Sequence, residues 1–344
     1  MRKKPILLIL LVSIIGCSKL PCKPASFYAP PPDAPYTAEE VKIVAPAGHM
    51  LVGTLTVPSD RGPQYPAVVL ITGSSTQDRD MVGSYWGIRK QYYRPFRQIA
   101  EDLSSRGIAV LRMDDQGSGC SEGGPHYDIP IQERANDIRA GLNYLRTRED
   151  IDHKRLGLLG LSEGGNIGPM VAASDSTISA VVILAGTATN GYLIQEYQWR
   201  YQLDNTPGLS VDERKHQEED IKNRVKIMKD YFARGEGTPW AKSFVSYLPM
   251  TSARKLRCPV LILHGDRDAH VPVEHASMLA QGIRANGNQD VTVIILKDHN
   301  HLLLEDSDGR KSEYSKLFKH TTQLSPEVLN TISLWIVERL TGGN

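Results

Sequence analysis

Short, unbroken apolar runs alternate along this chain with longer stretches of mixed polarity. The runs are Ala67 to Ile71, Ile108 to Met113, Leu156 to Leu161, Ala180 to Leu184, Val260 to Leu263 and Val291 to Leu296. Runs this short without polar alternation predict strands covered on both faces, and hence a parallel sheet held between helices. Helical patterns lie between them at Tyr93 to Arg106 and Ile131 to Arg148, and a last one follows Ser325-Pro326 and continues to Leu340. Ahead of the first run, Val41 to Val57 divides into two strand-like stretches about Pro46-Ala47-Gly48-His49, a turn composition that predicts an antiparallel hairpin. Strands and helices in alternation predict an α/β fold with a mostly parallel central sheet flanked by helices.

One interval breaks the rhythm. Thr187 to Lys255 separates two strands by far more than a crossover helix needs. Its charges are mixed, and Val211 to Arg234 reads as a solvated helix. A helical cap insertion over residues 187–255 is expected, carrying Tyr192, Tyr197, Trp199, Tyr201, Tyr231, Phe232 and Trp240. Most of these aromatics should pack the insertion against the main domain, with Trp199 and Trp240 expected to bear on substrate size.

Composition changes this picture only at the N-terminus. Forty basic against thirty-nine acidic side chains leave a net charge of +1, so no whole-chain field would gather nucleic acid. Met1-Arg2-Lys3-Lys4 followed by apolar Ile6 to Ile15 has the charged and apolar regions of an export signal, too short for a typical membrane span. It closes on Ile14-Ile15-Gly16-Cys17, which resembles a bacterial lipobox. The expectation is a signal peptide over 1–16, lipid on Cys17, and an exported protein held to the cell-envelope membrane by that lipid. Residues 17–35 hold six prolines, from Pro21 to Pro35, and predict an extended tether, with the folded domain over 36–344. With Cys17 lipidated, Cys22, Cys120 and Cys258 remain. Cys120 follows the carboxyl end of one parallel strand and Cys258 precedes the amino end of another, so no disulfide is expected.

Candidate chemistry lies in the loops after the strands. G-x-S-x-G, which puts a serine on a sharp strand-to-helix turn, occurs twice: Gly160-Leu161-Ser162-Glu163-Gly164 and Gly119-Cys120-Ser121-Glu122-Gly123. Ser162 directly follows a strand and precedes a segment able to start a helix, whereas Ser121 lies in a Gly-rich loop well past its strand. Ser162 is therefore the candidate nucleophile. A serine needs a histidine to take its proton and a carboxylate to orient that histidine, in the chain order serine, acid, histidine. The next strands are followed by His264-Gly265-Asp266-Arg267-Asp268 and by Lys297-Asp298-His299-Asn300-His301, so two aspartates and two histidines compete. Metal ligation by Asp298, His299 and His301 is disfavoured, because no H-E-x-x-H or comparable helical spacing occurs. No cofactor is called for.

These pieces together resemble bacterial α/β-hydrolases of the esterase or serine-aminopeptidase-like group, along most of Ala67 to Leu340. The resemblance rests on Gly73-Ser74-Ser75-Thr76-Gln77-Asp78-Arg79-Asp80, Asp114-Asp115-Gln116-Gly117-Ser118-Gly119-Cys120-Ser121, the GLSEGG turn, GDRDAHVP and the NHLL loop. It implies the α/β-hydrolase fold, Asp268 as acid, His301 as base, and the backbone N–H groups of Ser74 and Glu163 as oxyanion donors. Departures stand at Thr72, where many relatives have His, at Ser75-Thr76 in place of Gly-Pro, and at Gln116 in place of Arg. The expected function is hydrolysis of a small-molecule carboxylic ester through an acyl-enzyme. An amide or peptide substrate is the enzymatic alternative, and a lipoprotein that only binds a ligand on this fold is the other.

Overall fold

The computed structural model describes residues 20–60, 62, 64–85, 88–89, 93–307, 309 and 323–342. The expected signal peptide and the lipidation residue Cys17 lie outside the described residues. Strands β1 (Tyr36–Val44) and β2 (Met50–Pro58) form the predicted hairpin. They continue into β3 (Tyr65–Ile71), a short ribbon of β4 (Ser84–Tyr85) and β5 (Ile88–Arg89), β6 (Ala109–Met113), β7 (Ile151–Leu161), β8 (Ile178–Leu184), β9 (Val260–Gly265) and β10 (Val291–Leu296). The main sheet has eight strands in the order β1-β2-β6-β3-β7-β8-β9-β10. β2 is antiparallel to both neighbours, and from β6 onward every pairing is parallel.

The sheet is buried on both sides, as its unbroken apolar runs require. In β3 the register puts Ala67, Val69 and Ile71 on one face and Val68 and Leu70 on the other. The first face packs on α2 (Ile131–Leu145), α3 (Gly164–Ala172) and α8 (Glu274–Arg284) through residues such as Ala135, Leu142, Ile167 and Leu279. The second packs on α1 (Pro95–Ser104) and α9 (Pro326–Thr341) through Phe96, Ile99, Leu103, Val328 and Ile332. Each fully buried Val, Leu, Ile or Phe among them contributes about 1.5–3 kcal/mol of transfer free energy. α9 starts where Ser325 and Pro326 predict, the Ser325 hydroxyl accepting from the Val328 N–H. The insertion is helical: α4 (Gly191–Asp204), α5 (Val211–Ala233), α6 (Pro239–Ser246) and α7 (Met250–Ala253). Among the described residues no helix is long and apolar enough to cross a membrane.

Two N-terminal expectations need correction. The Pro-rich stretch is not a free tether over its described part, because Ala25–Tyr28 forms a 3-10 turn that buries Tyr28 with its ring 4.2 Å from the Arg79 guanidinium. Arg97 donates to the carbonyls of Phe27 and Ala29 at 3.0 and 2.9 Å. Both carbonyls lie at the carboxyl end of the 3-10 turn, where the last carbonyls have no partner within the turn and are open to such a clamp. Docking also carries Cys22 to Cys120, and the two form a disulfide across 98 residues. Cys258, just ahead of β9, is a free and partly buried thiol. The separation of strand ends that keeps Cys120 from Cys258 places no limit on Cys22, which comes from the N-terminal segment.

Candidate active site

In parallel α/β sheets the loops that can build a site gather at the carboxyl ends of the strands. Ser162 follows directly on β7 and precedes α3, with φ at +57°, a left-handed conformation that costs a non-glycine residue about 1–3 kcal/mol. Its N–H donates to the Leu184 carbonyl at 2.8 Å, and the residue is partly exposed. Glycines permit the turn: a Cβ on Gly160 would stand 2.0 Å from the Gly164 carbonyl oxygen, and one on Gly164 would stand 2.1 Å from that of Ile71. The second G-x-S-x-G is built differently. Ser121 is fully buried, its hydroxyl donating to the Asp114 carbonyl and accepting from the Val52 N–H, both at 2.9 Å. It ties a loop to β2.

The motif ahead of it is an ion-pair knot. Arg79 donates through Nε and Nη2 to the two oxygens of Asp114 at 3.1 and 2.7 Å, and Asp80 takes Arg112 together with Arg94 Nε, the latter at 2.6 Å. All four of Arg79, Asp80, Arg112 and Asp114 are buried, where charges persist only in pairs.

The two aspartates and the two histidines have different surroundings. Asp266 accepts from the Asp298 N–H at 2.7 Å and holds the two loops together. Asp268 is buried and accepts through Oδ1 from the N–H groups of His270 and Val271, at 2.7 and 2.9 Å. Its Oδ2 lies 2.8 Å from His301 Nδ1 and 3.1 Å from His264 Nε2. Burial alone would raise the Asp268 carboxyl. The facing His301 and the bonds from His264 and His301 outweigh it and hold the group well below the usual carboxylate range. His299 has both ring nitrogens engaged elsewhere, Nδ1 at 2.7 Å from the Lys297 carbonyl and Nε2 at 3.2 Å from Ser325 Oγ. Between the two histidines, Asn300 Oδ1 accepts from the N–H groups of Leu302 and Leu304 and curls the loop, so that residues two apart turn in different directions. The His270 ring stacks on His301 with centroids 4.6 Å apart.

Residues that sequence reasoning passed over hold the segments around Ser162. Arg134 is buried in the first turn of α2. Its Nη1 donates to Glu163, and its Nη2 donates to Thr72 Oγ1 at 3.0 Å, the Gly73 carbonyl at 3.1 Å and Asp115 Oδ1 at 3.3 Å. Burial pushes the Asp115 carboxyl up to about 6, against the pull of Arg134 and of the Thr72 hydroxyl that donates to it. Trp240 Nε1 donates to the other Glu163 oxygen at 2.9 Å, and its ring stacks on Phe244. Beyond the proposed donor Ser74, the Ser75 N–H donates to His126 Nε2 at 3.2 Å, and burial followed by the charge of Arg134 keeps His126 neutral by lowering its pKa. An arginine among Ile131, Ala135 and Ile138, all on the buried side of α2, was the available sequence signal.

The insertion reaches the same place. The Tyr197 hydroxyl donates to the Asp268 carbonyl at 2.7 Å and Gln198 to that of His270 at 3.2 Å. Trp199 instead packs on the insertion's own cluster of Leu203, Ile221 and Val225. Among the described residues, no three His, Cys, Asp or Glu side chains converge as metal ligands would.

Residues 89–308 match the model of the serine aminopeptidase S33 hydrolases. Esterase EstD of Thermotoga maritima is 27% identical over 289 residues, which are 84% of this chain and 66% of that protein, just under two thirds of its length. The esterase Pf2001 of Pyrococcus furiosus superposes with a TM-score of 0.60 at 18% identity, over 94% of this chain and 98% of that one. The acylaminoacyl peptidase of Pyrococcus horikoshii does so with a TM-score of 0.58 at 14% identity, over 90% of this chain and 42% of that one. Both likenesses establish a shared fold. With more than half of its length covered by the family model, this chain belongs to the serine aminopeptidase S33 family of hydrolases, on an α/β-hydrolase fold.

Proposed function

We propose that this protein is a serine esterase in which Ser162 is the nucleophile, His301 the base and Asp268 the acid. The observation that carries the reading is the Asp268–His301 pair, borne by the loops after β9 and β10 at the same end of the sheet as the strained turn that follows β7 at Ser162. A histidine whose Nδ1–H is given to a buried carboxylate presents Nε2 as the basic nitrogen, the tautomer that can accept a serine proton. Ser162 Oγ attacks the ester carbonyl as His301 takes its proton, and the tetrahedral oxyanion is met by the N–H groups of Ser74 and Glu163. Collapse expels the alcohol, which takes the proton from His301. Water, deprotonated by the same nitrogen, then releases the carboxylate and restores Ser162.

The family match keeps an amide or peptide substrate as the second reading. Esters come first because the alcohol leaves with least help, and because EstD is an esterase by name. Chromogenic p-nitrophenyl esters and aminoacyl p-nitroanilides, assayed side by side, test the choice. Faster turnover of the esters is expected, dependent on Ser162. Preference for the anilides would move the assignment to aminopeptidase, and inertness to both would favour a ligand-binding role. The lipobox-like end at Cys17 further leads us to propose an exported protein anchored by lipid. The Cys22–Cys120 bridge supports export, since disulfides persist in oxidising compartments.

A further inference from the structure

We propose that Arg134 is a positioning residue for both oxyanion donors, an assignment that rests on the serine-hydrolase reading above. Its guanidinium spans the two segments that supply them. Through Nη2 it donates to the Gly73 carbonyl at 3.1 Å, and through Nη1 to the Glu163 carboxylate. The Gly73 carbonyl belongs to the same peptide unit as the Ser74 N–H. That unit is planar and trans, so its carbonyl and N–H point in opposite directions. Fixing the oxygen therefore fixes where the hydrogen points, and the positive charge on the oxygen polarises the N–H toward better donation.

At its other end Arg134 acts on the residue after Ser162. Glu163 is buried, and an unpaired carboxylate one residue from the nucleophile would oppose the negative charge that develops on the substrate oxygen. Arg134 neutralises it, and Trp240 Nε1 at 2.9 Å holds the second oxygen. Thr72 Oγ1 and Asp115 Oδ1, at 3.0 and 3.3 Å from Nη2, complete the setting of the guanidinium. Thr72, one of the departures from the family pattern, thus belongs to this arrangement. Neither contact touches substrate. The effect of Arg134 should therefore appear in the transition state and leave ground-state binding alone.

Arg134→Met by itself strands a buried Glu163 charge and threatens folding, so the decisive protein is the full chain carrying Arg134→Met together with Glu163→Gln, whose amide oxygen still serves Trp240. With p-nitrophenyl butyrate as probe, kcat of the double variant should fall about 10²-fold while KM stays within about threefold, the split expected for a loss confined to the transition state. Affinity for a trifluoromethyl ketone, which forms a tetrahedral oxyanion on the serine, should fall in parallel. Arg134→Lys, with one ammonium where a fork spanned two segments, should fall between the variant and the wild type. A folded double variant whose kcat and ketone affinity both stay within about threefold of wild type overturns the proposal. So does a loss that appears in KM alone. If the wild-type protein neither hydrolyses the ester nor depends on Ser162, it is the underlying hydrolase reading that fails.

Discussion

Two serines share the G-x-S-x-G pattern, and their surroundings give them opposite consequences. The buried Ser121 hydroxyl bonds both the Asp114 carbonyl and the Val52 N–H, so Ser121→Ala should cost about 1–3 kcal/mol in urea unfolding while turnover stays within a few-fold of wild type. Ser162→Ala should leave stability nearly unchanged and lower turnover by about 10⁴-fold or more. The histidines divide in the same way. His301→Ala should abolish hydrolysis, and His299→Ala, which frees only Lys297 and Ser325, should keep it within about tenfold. Asp268→Asn should follow His301→Ala by leaving the imidazole in the wrong tautomer, whereas Asp266→Asn should not. His275 gives a pH dependence. Its Nδ1 accepts from the Ala188 N–H at 3.1 Å, and burial, reinforced by the charge of His264, lowers its pKa to about 4. An unfolded histidine titrates at about 6.5, so between those values the unfolded chain binds more protons and stability falls as pH drops through that window, by roughly 3 kcal/mol in all. His275→Gln should flatten that part of a stability-against-pH curve, and an unchanged curve would mean the group titrates normally. The sequence motifs narrowed each role to two residues. The loop turn set by Asn300, which gives His299 and His301 different partners, depends on contacts with no periodic signal.

At the scale of elements, strands were the most legible part of the chain, because an apolar run covered on both faces admits little else. The insertion was legible by its length but its aromatics were not. Tyr192 and Phe232 pair edge to face, Trp199 packs on Leu203, Ile221 and Val225, and Trp240 reaches Glu163. Partner choice of this kind is tertiary and leaves no local pattern. Trp199→Ala should accordingly lower stability and leave the ratio of rates on short and long acyl esters unchanged, which revises the specificity role expected of it. A changed ratio in the folded variant would restore that role. The N-terminal segment misled because prolines suit both a tether and a docked extended strap. Tyr28 and the arginine clamp decide for the strap. Cys22→Ser should lose about 2–4 kcal/mol of stability, and reducing the wild-type protein should do the same. Equal stability of variant and wild type would contradict the bridge.

For the whole molecule, a net charge of +1 leaves no general attraction to anionic surfaces, so the proposed membrane association rests on Cys17. The bridge at Cys22 stands five residues further on. At about 3.3–3.6 Å per residue it would keep the folded body within about 18 Å of a lipid-bearing Cys17. Cys17→Ser should shift the protein from the membrane to the soluble fraction, and unchanged partitioning would dismiss the anchor. The proposed chemistry turns on one oxygen atom, Ser162 Oγ. A fluorophosphonate reacts with an activated serine hydroxyl, so mapping its adduct by peptide mass spectrometry in wild-type protein, with His301→Ala as control, interrogates nucleophile and base together. The adduct should fall on the peptide containing Ser162, with none on that containing Ser121 and no labelling once His301 is gone; label on Ser121 would move the nucleophile, and full labelling without His301 would remove it as the base.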